Sequence, residues 1–138
     1  MLVIAQQLST MDRVRIFQSE FFRSVVPAES LAFPRLTWIP AVRGDREASL
    51  LAMRQAMLAS EPLRAGVFIG GMAGVEDEYA PLRRLQPGLP ASAVASTGAP
   101  AAMILRGDTA QPADPALRHG LETDLVYGAL FRALPGVG

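Results

Sequence analysis

The sequence predicts a three-layer α/β fold with a mainly parallel sheet of at least four strands, and three observations point that way. Short apolar runs rich in branched and aromatic residues alternate with longer runs of helical period. Val67-Phe68-Ile69 and Ala93-Val94-Ala95 are apolar without interruption, as strands covered on both faces must be. Half of the 138 residues are hydrophobic and 19% charged, with a mean hydropathy of +0.24, a composition that excludes intrinsic disorder and supplies a real core. No Pro/Gly/Ser-rich linker divides the chain, so one domain over residues 1–138 is expected.

In chain order, the strands expected are Arg13 to Gln18, Leu36 to Ile39, Gly66 to Gly70 and Ala91 to Ala95. The clearest helix runs from Asp45, a good N-cap, to Ser60, with Leu50, Met53 and Met57 forming one apolar stripe. Further helices are expected over Leu2 to Ser9, Val75 to about Arg84, Pro100 to Arg106 and Leu121 to Leu134. Pro81 removes a backbone donor inside the third of these five helices, so a kink or restart is expected there. Gly107 to Gly120, with Pro112 and Pro115, reads as a loop. The chain opens in a helical pattern where a doubly wound domain opens with a strand, so its first unit is expected to be missing.

Thirteen basic residues, all arginine, balance thirteen acids, and neither sign forms a block suited to nucleic acid. The absence of lysine excludes Schiff-base chemistry and Walker-type phosphate loops. Without cysteine, and with His119 alone, neither a disulfide framework nor a multi-histidine metal site can form, and neither metal nor cofactor is expected. The longest apolar run, Ala65 to Val75, spans eleven residues, too few for a membrane helix. A soluble, cytoplasmic protein is expected.

Ligands of open parallel sheets bind beyond the carboxyl ends of the strands. Those positions hold Gln18 and Ser19; Arg43, Gly44, Asp45 and Arg46; Gly70, Gly71 and Gly74; and Ser96, Thr97 and Gly98. Most informative is Gly70-Gly71-Met72-Ala73-Gly74-Val75-Glu76-Asp77-Glu78, where a strand meets glycines and then a helix start. Bare amides there suit a phosphate or ribose, although three carboxylates in the first turn offset the helix dipole. A phosphate then needs arginine, and Arg54, Arg43 and Arg46 are the candidates. The plainer alternatives are a tight turn capped by acids, an Arg54 that is solvated, and a Ser96–Gly98 turn that only opens a helix. His119 reads as a surface residue, and Trp38, Phe68, Met53 and Met57 as packing.

The segment from Arg54 to Glu78 resembles the lonely-guy-like phosphoribohydrolases and the wider SLOG superfamily of Rossmann-like nucleotide-ligand domains. Arg54 with Met57, the strand Ala65 to Ile69, and Gly70, Gly71, Gly74 and Glu78 match the family's arginine helix, strand and G-G-x-G-T-x-x-E loop. Two residues separate Gly71 from Gly74, Val75 stands for the threonine, and Ile69 stands for the preceding proline. These departures resemble branches tied to bacterial nucleotide signalling and antiviral conflict. The resemblance implies binding or sensing of a nucleotide-derived ligand, held by the glycine amides and Arg54, with Glu78 accepting from ribose hydroxyls. It equally accommodates hydrolysis of an N-glycosidic bond, with Glu78 and Arg54 as catalytic residues, or a structural module without turnover. The expected partners are a nucleotide-derived small molecule and either a second copy or a fused effector domain, with neither nucleic acid nor membrane.

Overall fold

The computed structural model describes residues 11–70, 74–107, 114–125 and 127–134. The chain divides into two compact units, Met1–Glu61 and Pro62–Gly138.

In the first unit, β1 (Arg15–Ser19) and β2 (Arg35–Ile39) pair in parallel, in register from Arg15 opposite Arg35 to Ser19 opposite Ile39. Two arginines facing one another across a ladder repel. Glu61 offsets this by accepting from both, at 2.9 Å from Arg15 Nη2 and 3.3 Å from Arg35 Nη2. Short 3₁₀ turns at Met11–Arg13 and Glu20–Phe22 flank β1, and a single helical turn, α1 (Ala28–Leu31), precedes β2. The helix α2 (Arg46–Ala59) packs on both strands. It begins as the sequence dictates, with the Asp45 carboxylate accepting from the Ala48 amide at 3.0 Å.

The second unit pairs β3 (Gly66–Ile69) with β4 (Ala91–Val94), again parallel, with Gly66 opposite Ala91 and Ile69 opposite Val94. Every residue of β4 is buried, as its small and apolar side chains allow. Helix α3 (Gly74–Leu85) follows β3, and a 3₁₀ turn at Ala95–Thr97 leads from β4 into α4 (Ala99–Gly107). Two shorter helices, α5 (Pro115–Thr123) and α6 (Tyr127–Ala133), complete it. Leu82, Ala93, Val94, Ala101 and Leu121 are at most 1% exposed and form the centre of this unit. Gly66 lets α3 approach β3 closely, because a Cβ there would lie 2.9 Å from Leu82 Cδ2.

The alternation of parallel strands and helices is therefore observed, in two ladders of two strands each. Three expectations need correction. The helix expected over Leu121 to Leu134 is two helices, since Asp124, after giving α5 its last amide bond to the Gly120 carbonyl at 2.9 Å, turns to extended backbone (φ −68°, ψ 140°). Part of the expected loop Gly107 to Gly120 is the start of α5, because Pro115 occupies the first turn, where no amide is needed, and Asp114 caps it through Ala116 N at 2.9 Å. And α3 runs unbroken through a buried Pro81, so no restart occurs. The expected helix Leu2 to Ser9 lies outside the described residues.

Candidate functional site

The strand–glycine–helix passage lies at the carboxyl end of β3. Gly70 has φ 137°, a left-handed value that disfavours any side chain, although a Cβ would find room, with Val75 Cγ2 at 3.5 Å. Its amide does not face empty space. It donates to Thr97 Oγ1 at 2.8 Å, and that hydroxyl donates in turn to the Val94 carbonyl at 2.5 Å. Thr97 thus fastens the ends of β3 and β4 together. Ser96 Oγ donates to the Asp124 carbonyl at 2.8 Å, and Gly98, at φ 151°, closes the 3₁₀ turn through the Ala95 carbonyl at 3.1 Å. The side chains of Ser96 and Thr97, expected to face a ligand, are engaged in building the bend.

Gly71 lies outside the described residues, and Gly74 is the first residue of α3. On α3, Glu76 and Asp77 are exposed whereas Glu78 is half-buried. Helical spacing places Glu78 in the same arc as buried Val75, Pro81 and Leu82.

Four candidates belong to the first unit. Arg54 is 7% exposed, so it is not a solvated helix residue. Gln18 is half-buried in β1, opposite Trp38. Arg43 is exposed with φ 43°, followed by Gly44 at φ 76°. This bend is pinned by Ser49, a fully buried residue that the sequence did not flag: its hydroxyl accepts from Val42 N at 2.9 Å and donates to the Asp45 carbonyl at 2.5 Å. Arg46 is exposed and pairs with its neighbour Glu47, while its guanidinium carbon lies 6.0 Å from the Phe22 ring centre. It is a surface residue of the first helical turn. Arg23 stacks at 4.0 Å over Trp38.

Sequence reasoning also missed a half-buried polar unit on α3. Arg83 donates through Nε to Tyr79 Oη at 3.0 Å and through Nη1 to the Leu89 carbonyl at 2.7 Å. The Tyr79 ring stands edge-on to Phe68, 5.1 Å between centres. Burial pushes the Arg83 guanidinium below the ordinary arginine pKa. The i, i+4 spacing of Tyr79 and Arg83 was the available signal. Both line an open groove of about 370 Å³ between α3 and α4, with Glu76, Met103, Ile104 and Gly107. His119 is exposed, as expected. Among the described residues, no three His, Asp or Glu side chains gather as metal ligands, and no helix is long and apolar enough to cross a membrane.

Short parallel strands alternating with helices define a mixed α/β class. Within it, the chain belongs to the SLOG cluster3 family, whose family model matches residues 1–134. No curated protein and no solved structure matches the chain. Family membership points to binding or processing of a nucleotide-related ligand.

Proposed function

We propose that this protein binds, and serves as a sensor for, a nucleotide or nucleotide-derived small molecule at the turn from β3 into α3. The observation that carries the reading is the half-buried Glu78 in the apolar arc of α3, four residues after Gly74, in a chain whose family handles nucleotide-related ligands. In this proposal Glu78 accepts from ribose hydroxyls and the bare main chain at Gly70 and Gly74 lies close to the ligand; the family resemblance adds Arg54, a residue of the first unit, as a phosphate-binding candidate. Arg54 is 7% exposed, so it is not an ordinary solvated helix residue. Thr97 and Ser96 act by shaping the bend. The finer expectations belong to the same proposal: one three-layer Rossmann-like domain with a sheet of at least four strands, cytoplasmic, and at work in bacterial signalling or antiviral conflict.

The test is calorimetric titration of the whole chain with AMP, GMP and NAD, followed by product analysis of the same mixtures. Saturable binding that Glu78→Ala and Arg54→Ala each weaken at least tenfold is expected, with the nucleotide recovered intact. Free base released by the wild type but not by Glu78→Ala would move the assignment to N-glycosidic hydrolysis, in which Glu78 handles the proton or stabilises a cationic ribose. Heat change absent for all three ligands, with Arg54→Ala indistinguishable from wild type, would leave a structural module.

A further inference from the structure

We propose that the stack of Arg23 on Trp38, beside Gln18, receives a nucleobase in the first unit, apart from Glu78. Facing positions of a parallel ladder project from one face, so Gln18 of β1 and Trp38 of β2 stand side by side. Parallel ladders are usually covered on both faces, yet no residue of β2 is buried, and Gln18 and Trp38 are each half-buried. The indole is not left bare: the Arg23 guanidinium carbon lies 4.0 Å from its ring centre.

The chemistry of these groups selects the ligand. Guanidinium hydrogen bonds lie in the plane of the group, so the pair that Arg23 makes with Glu20 at 2.9 Å fixes it in place without using its faces. The two charges cancel, so the stack suits a neutral ring rather than an anion. Among the described residues, nothing hydrogen-bonds to the side-chain amide of Gln18. A primary amide presents a donor next to an acceptor, and its complement is a planar edge carrying an acceptor next to a donor. Nucleobases have that edge together with a face that stacks on aromatic rings and guanidinium groups, and glutamine meets adenine through two hydrogen bonds in this way. The choice of a base among planar heterocycles rests on the reading of the protein as a nucleotide binder. Trp38, read from sequence as packing, and Gln18, at the carboxyl end of β1, then form one recognition surface.

Trp38 is the only tryptophan of the chain, so tryptophan fluorescence reports on this surface. The experiment is titration of the whole chain with adenine, N,N-dimethyladenine and ribose phosphate, excited where the bases do not absorb, with circular dichroism to verify that each variant is folded. Adenine is expected to change the emission saturably and ribose phosphate to leave it unchanged. N,N-dimethyladenine keeps the ring, loses the exocyclic N–H, and is expected to bind about tenfold more weakly. Gln18→Leu is expected to weaken adenine about tenfold and to bring the two bases to equal affinity, since the amide that told them apart is gone. Arg23→Leu is expected to weaken both. An emission unmoved by adenine up to its solubility, the same response to ribose phosphate, or a folded Gln18→Leu protein that still prefers adenine would overturn the proposal. Adenine carries neither ribose nor phosphate, so failure here leaves the Glu78 reading standing. An AMP titration insensitive to Glu78→Ala would sink that reading and leave this one.

Discussion

Thr97 shows how a residue that looks available for a ligand can be occupied by the fold. Its hydroxyl is the acceptor for Gly70 N–H and the donor to the Val94 carbonyl, so it closes the open end of the β3–β4 ladder. Thr97→Val keeps the shape and leaves a part-buried amide unpaired, which costs about 1–3 kcal/mol; Thr97→Ser keeps the hydroxyl and is expected to stay close to wild type. Urea denaturation reads the difference as a lower midpoint for valine alone, and equal midpoints for all three proteins would refute the role. Arg83 obeys the same logic with a charge. Its lowered pKa means that the protonated side chain bears a burial penalty in the folded state, one relieved only as pH rises into the strongly alkaline range. Between pH 5 and 9 it is therefore charged and held by Tyr79 Oη and the Leu89 carbonyl. Arg83→Ala is expected to cost about 1–3 kcal/mol by stranding that carbonyl, with no dependence on pH across this range. Arg83→Lys should rescue little, because one ammonium cannot reproduce the two donors of the planar fork.

At the scale of elements, caps and prolines decide where helices lie. The Asp45 carboxylate caps α2 and its carbonyl accepts from Ser49 Oγ, so a single residue starts the helix and pins the bend before it. Asp45→Ala is expected to lower stability by about 1 kcal/mol and Asp45→Asn to recover most of it; equal melting temperatures for the alanine and asparagine variants would count against the cap. This start was legible in the sequence, since Asp45 is followed by apolar residues at helical spacing. The strands Leu36 to Ile39, Gly66 to Gly70 and Ala91 to Ala95 were legible too, each within one residue of its observed bounds, because branched and aromatic runs between turn residues leave few alternatives. The break between α5 and α6 was hidden. Leu121, Leu125 and Ala129 keep a helical spacing across it, and only the extended backbone at Asp124 ends the first helix. Pro81 misled in the other direction: burial and packing of α3 outweigh the one hydrogen bond that a proline removes. Of the candidate site, the end of β3 and the start of α3 were legible from residue type and spacing, whereas the burial of Arg54 was not, and the occupation of Thr97 and Ser96 depends on partners 3 to 28 residues away and has no local signature.

For the molecule as a whole, folding and ligand binding are linked quantities. A chain of 138 residues is stabilised only marginally, by about 5–15 kcal/mol. A ligand present at one hundred times its Kd and bound only by the folded state adds about 2.7 kcal/mol. For a chain of this length that corresponds to a melting temperature higher by about 9 °C. The proposed site makes this shift selective. Glu78→Ala is expected to lose most of the nucleotide-dependent rise. Gly70→Ala lowers the melting temperature of the free protein, since alanine at φ 137° costs about 1–3 kcal/mol before any ligand is added. Scanning calorimetry with and without AMP, GMP or NAD separates the two effects. A Glu78→Ala protein that still gains the full rise would show that the nucleotide binds without this carboxylate. One that loses both the rise and stability in the absence of ligand would show that Glu78 serves the packing of α3 as well as the ligand.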